Sequence, residues 1–136
     1  MSKASDYLED KIRTHLFRTG TFTKPSQLWI ALYTSDPTDA DVGTEVSGGS
    51  YARVQRDPLD ANWTAVSATD GKTDNAATIT FPAPTANWGV VTHFGIRDAS
   101  AAGNLLVYGA LTTPKTINSG DAAPSFGVGA ITCTVS

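Results

Sequence analysis

Near the start of the chain, apolar residues recur every four positions while charged residues fall largely on the other faces. This period predicts one amphipathic helix over residues 5–18, with Ser5 as its N-cap and Gly20 as the residue that stops it. A helix this short is marginal in isolation, so its apolar side must pack on the chain's own sheet or on a neighbouring subunit. The recurring positions are Ala4, Leu8, Ile12 and Leu16, with Phe17 beside them.

After Gly20 the chain changes to short stretches rich in Thr, Val, Gly and aromatic residues, separated by clusters of turn-forming residues. This composition pattern is typical of an all-β sandwich or barrel. We predict a mainly β fold, an antiparallel β-sandwich of about six to eight strands with one N-terminal amphipathic α-helix. The expected organisation is an N-terminal helix at 1–20, packed on or exchanged with a neighbour, and a β-sandwich domain at 21–136.

The strand assignments follow from the pattern of apolar positions. Residues 28–34, "LWIALYT", are apolar on both faces, which predicts a central strand covered on both sides. Residues 90–98 and 104–112 are expected to pair as a hairpin across a loop of small residues. Within the second of these strands, Gly109 permits the close approach of another backbone, and Pro114 is expected to end the pairing. The other predicted strands are 50–56, 63–66, 76–82 and 126–135.

Composition and charge narrow the classes of function. The net charge is −3 and the ten Lys and Arg residues are scattered, so no basic surface is expected to bind nucleic acid. The single cysteine, Cys133, excludes an intrachain disulfide, so the fold must depend on packing. The N-terminus lacks the apolar run of a signal peptide, and no later stretch is apolar enough to span a bilayer. We therefore expect a soluble product with no membrane partner.

Residues that could perform a reaction are few. The two histidines, His15 and His93, lie far apart in the sequence and belong to no evident catalytic triad, which predicts a protein that is not an enzyme. One cysteine and two separated histidines cannot fill a tetrahedral zinc site, and no cofactor is expected. Four acidic residues could offer oxygens to Ca²⁺, but they lack the spacing of an EF-hand loop, so we favour a solvated turn. They are Asp36, Asp39, Asp41 and Glu45.

The three tryptophans are candidates for contact with a partner. Trp29 lies in the most apolar strand and is expected in the core. Trp63 and Trp88 lie in or beside loops, where each could stack on a glycan, seal the end of the sandwich or fill a pocket on a partner. We favour subunit contact for at least one of them. The candidate partner-contact residues are Leu8, Ile12, Leu16, Trp63 and Trp88.

Several segments, taken in their order along the chain, carry a resemblance to a known class of proteins. Behind a short helix and "LWIALYTSDPT" (28–38), they resemble small structural proteins of tailed bacteriophages, commonly labelled tail fibre proteins, over most of the chain. The resemblance implies a non-enzymatic virion component made in the host bacterial cytoplasm. The sequence departs from that pattern in a longer polar section, residues 57–75. The segments are "TEVSGGSYARV" (44–54), "ATITFPAPTANWGVVTHFGIRDA" (76–99) and "GNLLVYGALTTPKTINSGD" (103–121).

The length of the chain and its lack of a repeat argue against a fibre shaft. A fibre shaft needs length or a repeat, and a chain of 136 residues without a repeat has neither. This favours an oligomeric decoration or cement protein on the capsid; the alternative is a tail fibre, neck or tail-tip component, with binding of a host-surface glycan as an added possibility. The expected partners are copies of the chain, with a trimer favoured, and other virion proteins such as the major capsid protein or tail proteins.

Overall fold

The computed structural model describes residues 2–66 and 69–135. Within these residues it contains nine strands, paired antiparallel, and one helix. The mainly β fold with an N-terminal helix is confirmed, with more and shorter strands than the sequence predicts. In chain order the elements are β1 (Ser2–Ala4), α1 (Asp6–Phe17), β2 (Trp29–Tyr33), β3 (Val54–Gln55), β4 (Thr73–Asp74), β5 (Ile79–Thr80), β6 (Gly89–Arg97), β7 (Leu105–Ile117), β8 (Ser125–Phe126) and β9 (Thr132–Cys133).

Five strands form the main sheet, in the order β1-β7-β6-β2-β3. The predicted hairpin is confirmed, because β6 and β7 pair across the loop 98–104. The central position of β2 is also confirmed, since it lies between β6 and β3 and is buried from Ile30 to Tyr33. Its register places Ile30 opposite Ile96 and Leu32 opposite Phe94, so these apolar side chains share one face of the sheet.

A second layer of short strands covers this apolar face. The pairs β5–β8 and β4–β9 form two separate two-stranded sheets. Phe126 of β8 contacts Phe94 of β6 edge-on, with ring centroids 6.4 Å apart, and contacts Phe81 next to β5 at 6.2 Å. These aromatic contacts join the second layer to the main sheet. The core between the layers also contains Ile79, Trp88, Val91 and Ile131, all buried.

The N-terminal residues form a strand as well as a helix. Ala4, which the periodicity assigns to the helical stripe, lies in β1 and pairs with Val107 of β7. The predicted N-cap is confirmed, since the Ser5 hydroxyl accepts a hydrogen bond from the Leu8 amide at 3.2 Å. The helix ends at Phe17, so the predicted bounds of 5–18 are one residue too long at each end.

Two strand predictions are wrong near the C-terminal half of the chain. Pairing does not end at Pro114, because β7 continues to Ile117 and Pro114 lies where the register with β6 shifts. The predicted strand 126–135 is broken into β8 and β9, which pair with different partners. Gly129, with a φ of +76°, turns the chain between them.

Two further predictions are only partly met. In the predicted strand 50–56, only Val54 and Gln55 pair as a strand. In the segment 63–66, Trp63 makes a single antiparallel bridge with Asn75 and no strand forms. Both segments have few ladder hydrogen bonds, so the alternation of apolar and polar residues that predicts the strand 50–56 is a poor guide to pairing there.

The close approach of another backbone expected at Gly109 is present, and a substitution there tests it. A Cβ at this position would lie 2.9 Å from Cε1 of Phe94 and 3.2 Å from Cα of Ser2. Gly109→Ala is therefore expected to lower the free energy of unfolding by about 1–3 kcal/mol through overpacking. Urea denaturation followed by tryptophan fluorescence measures the change.

Gly127→Ala is the matched control, because Gly127 has no atom within 4 Å of its Cβ position and its φ is not positive. This control variant should be neutral or slightly stabilised. Equal unfolding midpoints for the two variants would contradict the close packing of β1, β6 and β7.

Candidate partner-binding groove

An apolar groove lies between α1, the main sheet and the polar section. It encloses about 610 Å³. Leu8 lines it from the helix, Ile96 and Val107 line it from the main sheet, and Trp63 lines it from the polar section. The other lining residues are Leu28, Pro58, Leu59, Asp60, Thr64, Ala65, Val66, Thr73, Leu106 and Cys133.

The wall formed by the polar section is held by hydrogen bonds to its own backbone. The indole N–H of Trp63 donates to the carbonyls of Arg56 and Asp57, at 3.3 and 3.2 Å. The side-chain amide of Asn62 donates to the same Asp57 carbonyl at 3.0 Å. The Thr64 amide donates to the Asp74 carbonyl at 2.8 Å, which joins this wall to β4. Trp63 thus presents its ring to the groove from a fixed position.

Asn75 anchors the far end of the polar section. It is 1% exposed, and its side-chain amide donates to the carbonyls of Ala77 and Gly127, both at 2.9 Å. Its side-chain oxygen accepts from the Ile131 amide at 2.9 Å. A buried Asn with its donors and acceptor satisfied fixes the surrounding backbone. Sequence reasoning missed this residue, because two of its three partners, Gly127 and Ile131, lie more than 50 positions away.

Exposed apolar side chains lie at the rim of the groove and at the end of the helix. On the polar section, Leu59 is 59% exposed and Val66 is 71% exposed. At the end of α1, Leu16 is 65% exposed and Phe17 is 80% exposed. Clustered exposed apolar residues next to an apolar cavity are typical of a surface that binds another protein.

The structure brings together two of the five candidate contact residues. Leu8 and Trp63 both line the groove. Ile12 is half-buried on the same helix, and Leu16 is exposed beyond it. Trp88 lies elsewhere and is only 5% exposed, with its ring packed edge-on against Tyr51 and its N–H donating to the Gly49 carbonyl at 2.9 Å.

The four acidic residues considered for Ca²⁺ are bound to groups of the protein. Asp41 pairs with Arg97, and Glu45 pairs with Arg53. Asp39 accepts a hydrogen bond from the Tyr108 hydroxyl, and Asp36 accepts one from the Thr38 amide at 2.9 Å. In the part of the chain that the structure describes, no group of three His, Cys, Asp or Glu side chains could hold a metal ion.

Arg97 is the centre of the polar network on the face of the sheet opposite the core. Its guanidinium is bidentate to Asp41, with both distances 2.8 Å, and also donates to the Tyr33 hydroxyl at 2.8 Å and the Gly103 carbonyl at 2.9 Å. Burial acts to lower the pKa of Arg97, but the bonds to Asp41 and Tyr33 outweigh it and raise the pKa. The acidic loop, residues 35–45, is thereby fixed to the β6–β7 hairpin.

Arg53 extends this network to the hairpin loop. It is bidentate to Glu45 at 2.7 Å and donates to the carbonyls of Ala99 and Ala102 at 2.7 and 2.9 Å. Sequence reasoning missed both arginines, because an isolated Arg on a strand carries no local sign of its partner. Two of the four acidic residues considered as metal ligands, Asp41 and Glu45, are their counter-ions.

Both histidines act as local hydrogen-bond partners. Nδ1 of His15 accepts from the Phe22 amide at 3.1 Å. Nδ1 of His93 lies 2.8 Å from the Thr92 hydroxyl, and its Nε2 lies 3.8 Å from a carboxylate oxygen of Asp36. Across the described residues, no helix has the length and hydropathy needed to cross a membrane.

Comparison of the sequence with models of protein families identifies the family of this chain. A family model described as podophage GP4 fiber I protein gp80 matches residues 3–134. The chain belongs to this podophage fiber family. The match runs from β1 through β9 and includes the groove, so the fiber family's domain coincides with the whole fold. The resemblance to phage tail fibre proteins is confirmed, and this fiber family member is a virion component. A search of curated protein sequences found no match.

The Arg97 network predicts that replacing Arg97 destabilises the fold much more than replacing Arg13. Arg97→Ala should lower the free energy of unfolding by about 1–3 kcal/mol, because it removes a buried guanidinium and leaves the buried Tyr33 hydroxyl without its hydrogen-bond partner. Arg13→Ala is the control, since Arg13 pairs with Glu9 on the exposed side of α1 and should change the free energy by about 0.5 kcal/mol or less. Similar losses for both variants in urea denaturation would contradict the structural role of Arg97.

Cys133 offers a test of the groove's interior. Burial, with a smaller contribution from Asp74, raises the pKa of its thiol to about 12. Only the thiolate reacts with disulfide reagents, so at pH 8 the folded chain should react at least about 100-fold more slowly than the chain in denaturing urea. Equal rates of reaction, measured by absorbance with an aromatic disulfide reagent, would show that Cys133 is not enclosed.

Proposed function

We propose that the chain is a non-enzymatic component of the phage tail fibre, which works by binding copies of itself and neighbouring tail proteins. The observation that carries the proposal is the match of the fiber family over residues 3–134. That match supports the tail fibre alternative from the sequence rather than the capsid decoration or cement role, for which the comparisons offer no support.

The surface chemistry agrees with a binding role. The groove is lined mostly by apolar side chains, with Asp60 as its charged residue. The strongest ion pairs, Arg97–Asp41 and Arg53–Glu45, serve to hold loops of the chain itself. Apolar walls with few polar groups suit association with another protein. The expected assembly is a homo-oligomer, with the trimer as the favoured size.

Glycan stacking has weaker support. Trp88 is buried against Tyr51, so it offers no open platform for a sugar ring. Trp63 presents its ring within the groove, beside Leu59 and Val66. An apolar groove of this kind suits a protein side chain better than a hydroxyl-rich sugar.

Immunogold electron microscopy of the parent phage tests the proposal. Antibodies against the chain are expected to label the tail, and mass spectrometry of purified particles should show a low copy number relative to the major capsid protein. Antibodies against the major capsid protein serve as the positional control. Label distributed over the head, at a copy number close to that of the capsid protein, would refute the tail fibre role and restore the decoration role.

A further inference from the structure

We infer that the occupant of the groove is the helix end of a second copy, defined as Leu16, Phe17 and Arg18. This inference rests on the proposed self-association and names the surfaces that perform it. The helix end carries the largest exposed apolar side chain of α1, and the groove is an apolar recess that the same helix borders. Phe17 would insert between Trp63 and Leu59.

The helix end cannot fill the groove of its own chain. Leu8 and Phe17 lie nine positions apart on one α-helix, which separates them by roughly 13 Å along the axis. Leu8 already lines the groove, and the N-terminus of the helix is attached to the sheet through Ser5, whose amide donates to the Leu106 carbonyl at 2.9 Å. Phe17 does not line the groove that its own helix borders and is 80% exposed, so it is available to a second molecule.

Charge complementarity selects a second copy as the partner. Residues 11–24 contain four basic residues and no acidic residue, a net charge of +4. The segment 57–74 contains four Asp and one Lys, so its net charge is 1 − 4 = −3. Arg18 directly follows Phe17, and Asp60 lines the groove. Complementary charges of this kind fix the orientation of a docked segment.

Within one copy the two charged segments meet at a different point. The Lys24 ammonium donates to the Pro58 carbonyl at 3.3 Å. This contact occupies the rim near Pro58 and leaves Arg18 at the projecting helix end. Arg13 is paired with Glu9 on the same helix, so Arg18 is the basic residue placed where a neighbouring molecule would meet the acidic segment.

The proposed contact joins two different surfaces, so it is heterologous. Each copy offers one helix end and one groove, and such contacts close into a ring when the rotation between copies allows it. A trimer is one such ring. An isologous dimer would instead pair one surface with itself.

A complementation experiment tests this arrangement. Phe17→Ser removes the inserted side chain, and Leu59→Asp places a charge in the groove; each should weaken self-association at least about 30-fold in sedimentation velocity. Both positions are exposed, so both variants should fold, as circular dichroism can verify. An equimolar mixture should form a dimer and nothing larger, since one intact helix end then meets one intact groove.

Val42→Ser is the matched control. Val42 is 70% exposed and does not line the groove, so this variant should associate like the wild type. A charge exchange adds a second control: Arg18→Glu should weaken association about fivefold, and Asp60→Arg in the same chain should restore it.

Three results would overturn the inference: a wild-type chain that stays monomeric at high concentration, variants at Phe17 and Leu59 that associate like Val42→Ser, or a mixture that does not form dimers. The first result would leave a different tail protein as the occupant of the groove. Gold labelling of the tail is independent of all three, so failure of the self-association contact and failure of the tail fibre role can be told apart.

Discussion

The attachment of the N-terminal residues to β7 determines where α1 lies against the main sheet. β1 pairs with β7 through Ser2–Gly109 and Ala4–Val107, and Ser5 binds the carbonyls of Leu105 and Leu106. The same Ser5 hydroxyl caps α1. Because one short segment is both a strand and a helix cap, the helix leaves the sheet in a fixed direction. Its first turn forms a wall of the groove, and the Leu16 and Phe17 side chains of its last turn are exposed.

The charged residues stabilise the opposite face of the sheet and leave the groove apolar. Arg97 and Arg53 bind Asp41 and Glu45 and several loop carbonyls, so the acidic loop and the hairpin loop form one rigid cap. Buried guanidinium groups require many hydrogen bonds to offset desolvation. Here the backbone of the hairpin loop supplies them. The two faces of the sheet therefore differ: one is closed by polar contacts, and the other carries an apolar groove.

Local features of the fold were predictable from the sequence, and contacts between distant segments were not. The Ser5 cap, the buried strand β2 and the β6–β7 hairpin each depend on residues within one short window, so their signals are readable. β1, Asn75 and Arg97 depend on partners from 52 to more than 100 positions away, and nothing beside them in the sequence indicates those partners. The prediction for 126–135 failed because five strands have only two residues, too few to show a period of two.

The candidate site was predictable in part for the same reason. Leu8 and Trp63 could be named as contact residues because one is apolar on an amphipathic helix and the other is aromatic in a polar segment. Their meeting in one groove depends on Asn75 and Trp63 hydrogen bonds that fold the polar section back toward α1. Trp88 has the same local context as Trp63, yet it is enclosed by Tyr51 and the Gly49 carbonyl. Proximity to a loop therefore does not distinguish a core aromatic from a surface aromatic.

A single rigid helix contributes to both proposed contact surfaces, and this has a consequence for assembly. Leu8 borders the groove, and Phe17 forms the helix end, so the distance and rotation between the two surfaces are set by nine residues of α-helix. In a heterologous assembly that relation determines how each copy is rotated relative to the next. A loop in place of the helix would allow many rotations and no single closed ring. In the proposed assembly the short helix, although marginal alone, would thus give a small β fold the geometric precision that a closed ring requires.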